Sequence, residues 1–355
     1  SMMYPSGSST LNPASFQDDK EMMIVFSGVI DGTRTQIYRV NSDGTNLTNL
    51  TGQNAGLWHV RPAASPDGSR IAYVGMEGPA GAPNGGRLVQ NLYVMSRDGT
   101  DKVLLANNSD AIGRHTWSPD GSKIAYEADA DIFVVGADGK DNPINLTDDG
   151  DATNDFKPTW ASSNKIIFES IVFDKDKKVF TESSFKEIDI DTGKARKLFD
   201  FDYNISGSHV WSPDLSKVAF LQADDEFGPA SLYIMSSDGH NQTRLTTTGE
   251  LLGLMEMAWS PDSSRIAFQT VAGDGRQIYV INVNDGSYTN LSNSNATFDG
   301  NPVWSPDGQK IAFTRIIAEG EAGIYVMKSD GSKQVEIATM KTPIIDTPLD
   351  WLPQR

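Results

Sequence analysis

Apolar positions along this chain come in short runs of three or four, and the runs return in a fixed order. One type is small and β-branched with an aromatic close: Ile71-Ala72-Tyr73, Ile124-Ala125-Tyr126, Ile166-Ile167-Phe168, Val218-Ala219-Phe220, Ile266-Ala267-Phe268 and Ile311-Ala312-Phe313. A second type carries its aromatic inside, as in Leu92-Tyr93-Val94-Met95, Ile132-Phe133-Val134-Val135, Leu232-Tyr233-Ile234-Met235, Ile278-Tyr279-Val280-Ile281 and Ile324-Tyr325-Val326-Met327. Runs this short, bounded by Gly and Pro, predict strands. Polar turns separate them. Ser65-Pro66-Asp67-Gly68, Ser118-Pro119-Asp120-Gly121 and Ser305-Pro306-Asp307-Gly308 precede the first type. In such a turn Pro presets one dihedral, Asp bonds back to the backbone and Gly takes the left-handed conformation. Asp98-Gly99, Asp138-Gly139, Asp238-Gly239, Asp285-Gly286 and Asp330-Gly331 follow the second type and read as hairpins.

A further strand opens each unit, marked by a tryptophan before the Ser-Pro turn: Trp117, Trp211, Trp259 and Trp304. A closing strand ends in Leu-Thr or similar, as at Leu146-Thr147 and Leu245-Thr246. Four-stranded antiparallel units of roughly 45 residues, repeated radially, predict the blades of a β-propeller. Ile24-Val25-Phe26 and Ile37-Tyr38-Arg39-Val40 begin a first unit that lacks its tryptophan strand, while Leu349-Asp350-Trp351-Leu352-Pro353 supplies an orphan one. The reading is an all-β, seven-bladed propeller over 21–355, closed by the C-terminal strand pairing into the N-terminal blade. Residues 1–20 are polar and aperiodic and read as a flexible leader, either the tether of an exported or lipid-anchored chain with its anchor upstream or an ordinary frayed terminus.

The phrase Trp-Ser-Pro-Asp-Gly-x-x-Ile-Ala-Phe, paired with Ile-Tyr-x-Met-x-x-Asp-Gly, resembles the repeat of the TolB-like propellers. Similar repeats occur in the non-catalytic propellers of prolyl-oligopeptidase-like enzymes, in tricorn-type proteases and in oligogalacturonate lyases. The resemblance covers 22–353. It implies the fold, and a bacterial periplasmic or cell-surface location, more than an activity. TolB itself has six blades after a separate α/β domain; seven units are counted here. The peptidase relatives carry a Gly-x-Ser-x-Gly hydrolase domain, and this chain holds no such pattern.

Composition narrows the classes. Among 355 residues the net charge is −17, which argues against a nucleic-acid partner, since phosphate backbones need concentrated Lys and Arg. No apolar run approaches the roughly 18 residues of a membrane helix. With no cysteine, neither a disulfide framework nor a thiolate metal site is available. No cofactor is called for, and the chain is expected to act as a monomer.

The uniform turns fall on one face of the disc; the variable connections gather on the other, including inserts at 77–90, 169–185 and 222–231. Function concentrates on variable loops held by a rigid scaffold, so that face is the candidate. Three residues before each tryptophan position stand Arg61, Arg114, Lys157, Ser208, Glu256, Asn301 and Pro348, expected to rim the central channel, with His115 and His209 one residue further along. Convergent Arg and Lys suit a carboxylate. The expected site is therefore Arg61, Arg114, His115, Lys157, His209, Glu256 and Asn301, taking an acidic sugar, a peptide carboxylate or a protein partner. In the bland alternative these cations pair with Asp110, Asp155, Asp299 or Asp346 and only hold the rim together. Trp58 either fills the volume left where Ala64 replaces the repeat tryptophan or offers a stacking platform. Asp148-Asp149-Gly150-Asp151 reads as a solvated acidic turn. A metal centre of the oligogalacturonate-lyase kind would need converging histidines, and His59, His115 and His209 are poorly placed for it. Three functions follow: a non-enzymatic binding scaffold, a carbohydrate-active enzyme on acidic oligosaccharides, or the propeller of a larger peptidase-like protein.

Overall fold

The computed structural model describes residues 22–30, 34–52, 57–77, 89–109, 112–150, 153–174, 179–201, 209–223, 230–246, 256–272, 275–294, 298–341 and 349–353. The expected leader at 1–20 lies outside these residues, as do most of the 77–90 insert and positions 224–229. The described residues form 28 strands, β1–β28 in chain order, arranged as seven four-stranded sheets. In every blade the opening strand contacts its counterpart in a neighbouring blade, so these strands enclose the central channel. They are β4 (Leu57–Ala64), β8 (Ile112–Trp117), β12 (Thr153–Ser162), β16 (His209–Trp211), β20 (Met257–Trp259), β24 (Asp299–Trp304) and β28 (Leu349–Leu352). As the orphan strand predicted, β28 pairs antiparallel with β1 (Met23–Gly28), Trp351 opposite Ile24. The ring is closed by the two ends of the chain.

In six of the seven blades the aromatic of the second strand lies directly opposite that of the third; in the fourth, Phe168 faces Lys186. Tyr73 faces Tyr93 with ring centroids 5.4 Å apart, and Phe268 faces Tyr279 at 5.8 Å. Cross-strand aromatic pairs of this kind are the unit of sheet stabilisation. The Ser-Pro turns are locked by their own side chains. Asp120 Oδ1 accepts from Ser118 Oγ at 2.7 Å and from the Ser122 amide at 2.9 Å, while Gly121 takes φ 69°. These bonds hold the turn carboxylates low: hydrogen bonding from Ser65 and from Ser212 keeps Asp67 and Asp214 at about 2.

The repeat tryptophans are structural, and five of their indoles donate across a seam. Nε1 of Trp117 donates to Ala63 O of the preceding blade at 3.0 Å; Trp160 donates to Thr116 O at 3.1 Å, and Trp259 to Val210 O at 3.2 Å. Trp304 donates to Ala258 O at 3.1 Å, and Trp351 to Val303 O at 3.0 Å. A cation from the preceding blade's second strand covers two of the rings, Arg70 at 5.0 Å over Trp117 and Arg265 at 4.5 Å over Trp304.

The seam between the first and second blades differs on both sides. Met23 stands where the other second strands open with Arg or Lys, and Ala64 where the others carry tryptophan. There the latch is reversed. Asp350 Oδ2 accepts the Ala64 amide at 2.8 Å, and its Oδ1 accepts the Trp351 amide at 2.8 Å. Trp58 does not fill the space at Ala64: it sits six residues back along the same strand, about 20 Å away at strand rise. There it stacks under Arg34 at 4.0 Å.

Candidate binding site at the loop-face mouth of the channel

Four inner strands carry the same defect where they reach the loop face. Between Val60 and Ala63, Ile112 and His115, Phe156 and Thr159, and Gly300 and Val303, three steps oppose two on the second strand. Each is a β-bulge, which leaves one residue unpaired and re-aims its side chain. In three of them a left-handed residue precedes proline: Arg61 (φ 54°), Lys157 (φ 53°) and Asn301 (φ 53°). Proline is tolerated at a bulge because no ladder bond is asked of it. The left-handed conformation is unfavourable for these side chains and persists only where surrounding bonds hold it.

For Lys157 that bond comes from a residue the sequence reading passed over. Glu127, on the second strand of the third blade, accepts the Arg114 amide at 3.1 Å through Oε2 and the Lys157 amide at 2.6 Å through Oε1. One carboxylate thus fixes two adjoining bulges. In the seventh blade Thr314 has the same place, accepting from Asn301 Nδ2 at 3.2 Å and donating to Gly300 O at 3.1 Å. The signal was present. Where other second strands continue with Val74 or Leu221, Tyr126-Glu127 and Phe168-Glu169 place an acid one residue past the aromatic.

A cavity of 610 Å³ opens at this mouth, lined among others by Arg61, Arg114, His115, Glu127, Glu256 and Asn301. Five of the seven expected residues therefore meet on it. Lys157 lies behind Glu127, its Nζ 3.4 Å from His209 O, and His209 is buried between blades against Phe185. Ser208 and Pro348 lie outside the described residues.

The mouth is mixed in charge, not simply cationic. Burial and the charge of Arg114 push the Lys157 amine down to about 8, against the opposing pull of Glu169, Glu127 and Glu256. Burial, then Arg61, push His115 down to about 4, and both its ring nitrogens are shielded without a well-formed hydrogen bond. Burial, then Lys157 and Arg114, hold His209 well below the usual imidazole range. Its 3.5 Å approach to Glu169 is thus made by a neutral ring at neutral pH.

The rim acids expected to neutralise these cations are engaged elsewhere. Asp299 takes a two-pronged bond from Arg315 at 2.6 and 2.9 Å, and buried Asp155 accepts from Thr153 at 3.1 Å. Asp110 and Asp346 lie outside the described residues. Arg61 spends its guanidinium on the next blade, donating to Ile112 O at 2.6 Å. Arg114 is exposed, and among the described residues no acceptor meets its guanidinium.

The three candidate histidines do not converge. His59 Nδ1 lies 3.0 Å from Gln36 Oε1, across the seam between the second and first blades. Among the described residues no group of three or more His, Asp or Glu side chains is placed to share a metal ion, and that holds for Asp148 and Asp149 too. Among the described residues no helix is long and apolar enough to cross a membrane.

Blades, channel and closing strand together define a closed seven-bladed β-propeller. Residues 253–351 match the family model of the TolB beta propeller domain. The Tol-Pal system protein TolB of Blochmanniella pennsylvanica is 34% identical over 77 residues, which are 21% of this chain and 17% of that one. The match therefore spans less than a fifth of that relative's length. Over residues 253–351 the chain carries the TolB-like propeller repeat. Among solved structures, an oligogalacturonate lyase in complex with manganese aligns over 90% of this chain and 86% of its own, with TM-score 0.63 and 16% identity. The β-propeller domain of the Trilobed protease of Pyrococcus furiosus aligns over 80% and 85%, with TM-score 0.57 and 15% identity. At such identities the likeness is one of fold.

Proposed function

We propose that this propeller is a non-enzymatic binding module, exported from a bacterial cell, that takes a carboxylate-bearing partner at the loop-face mouth of its channel. The observation that carries the reading is Arg114. It is an exposed guanidinium on a bulge held by Glu127, at the edge of a 610 Å³ cavity, with no described acceptor. A planar guanidinium fixed in position grips a carboxylate through two parallel bonds. Lys157 behind it adds positive potential, while Glu256 and Glu127 repel anions that approach off-centre. The partner's carboxylate belongs either to a protein segment or to an acidic sugar.

Calorimetric titration with peptides ending in a free carboxylate, and with galacturonate oligomers, separates these two. Arg114→Ala should weaken whichever binds by about 10- to 100-fold, the value of a charge-assisted pair. Unchanged affinity would move the site elsewhere. Turnover of the uronate oligomers would make the protein an enzyme. The lyase reading is the weaker one because the described residues offer no metal-ligand set of the size such a centre needs.

A further inference from the structure

The far end of the channel holds a second cavity, of 420 Å³, at the odd seam between the first and second blades. It opens on the turn face between Pro66, Pro306 and Pro353, the first two of them exposed. Its wall includes Ala64, and the space exists because a methyl group stands where the repeat puts an indole. Three other indoles line it, Trp117, Trp304 and Trp351, each more than nine-tenths buried, so that only an edge or strip of each faces the space. Of the lining residues Asp350 alone is acidic, and none is a lysine or arginine. His115, shared with the loop-face cavity, is neutral because burial pushes it down to about 4.

Asp350 is half-buried, with each oxygen accepting one backbone amide and keeping a further lone pair. Burial raises its carboxyl to about 6, and no neighbouring cation opposes the rise. At neutral pH the channel floor is therefore a carboxylate without a counter-ion, walled by indoles and prolines. Carboxylates in such a setting gain from an ammonium group, and the exposed strips of the indoles offer apolar surface to the rest of such a ligand.

We propose that the turn-face cavity is a binding site for a small organic cation, its ammonium group on Asp350 and its apolar part against Trp117, Trp304 and Trp351. The space admits a ligand of about a dozen non-hydrogen atoms, judged from the share of volume a small molecule occupies. None of Arg114, Glu127 and Glu256 lines this cavity, so it is a separate site, independent of the carboxylate reading above.

The test is a titration of the whole protein with benzyltrimethylammonium at pH 7.5, followed by tryptophan fluorescence and by calorimetry. Saturable binding is expected, with neutral benzyl alcohol bound at least 10-fold more weakly. Ala64→Trp, which fills the cavity with the repeat's own residue, should abolish binding while the protein stays folded by thermal melting. Asp350→Asn should weaken it at least 10-fold, and Arg114→Ala should leave it unchanged. Equal affinity for benzyl alcohol would make the cavity merely apolar and overturn the proposal. So would binding that survives Ala64→Trp, or no binding at millimolar concentration. Should Asp350→Asn fail to fold, Ala64→Trp decides alone.

Discussion

Two kinds of seam hold this ring together. At most blade junctions an indole reaches back and donates to a carbonyl of the preceding inner strand, often with a cation laid over its ring. Between the first and second blades the direction is reversed: the preceding strand's side chain, Asp350, accepts from the backbone of the next. The first arrangement buries a large apolar surface. The second substitutes a charge for that surface and leaves a cavity. A repeat protein can thus lose its signature residue at one position without losing the ring, provided a neighbour satisfies the exposed amide.

The contrast can be broken most severely at an ordinary seam. Trp304→Ala removes a buried indole and its bond to Ala258 O, and should cost about 3–5 kcal/mol in urea unfolding. The odd seam should respond to pH instead. Asp350 titrates at about 6 in the folded protein and near 3.9 unfolded, so the folded state binds more protons between these values. Stability from this group is full below about pH 4 and is lost as pH rises to about 6, by up to about 3 kcal/mol. The turn acids act oppositely. Asp67 and Asp214, held at about 2, contribute stability above about pH 4 that is lost as pH falls towards 2. Urea midpoints from pH 4 to 8 should therefore fall for the parent protein relative to Asp350→Asn; parallel curves would show that the carboxyl is not held in this way.

Asp350→Ala leaves the Ala64 amide without its acceptor and should cost about 1–3 kcal/mol at pH 7, less than the loss of an ordinary latch. Ala64→Trp should raise the melting temperature, by about 1 kcal/mol in stability, if the new indole finds the Asp350 carbonyl as its counterparts do. Adding Met23→Lys should sharpen that gain by supplying the missing cation. Smallest of all, Arg70→Ala uncovers Trp117 and should cost about 0.5–1 kcal/mol, measured by the same unfolding curves.

The architecture could be read from residues alone because every blade states it again. Trp351 announced the closing strand, and the Ser-Pro-Asp-Gly turns stood where local chemistry put them. The sites were less legible. Arg61 and Arg114 belong to one row of the repeat, yet Arg61 is spent on a carbonyl and Arg114 is not, a difference set by the bulge beside each. Glu127 holds two bulges in two blades, a role invisible within one unit. The turn face reads as purely structural because its motifs are so regular. Its one cavity described above is lined by residues 64 and 350, which meet only when the ring closes; the repeat marks the missing tryptophan at Ala64 but not its closing partner Asp350.

That closure also sets a clock. Met23 pairs with Leu352, so the first blade's inner position stays empty until the last blade has left the ribosome. At cellular synthesis rates of 5–20 residues per second the wait is roughly 15 to 65 seconds. Throughout it, the edge carrying Ile24, Val25 and Phe26, all fully buried in the finished ring, is an unpaired template for any strand that drifts past. A nascent chain of this design needs either a guardian for its first blade or a rapid second half.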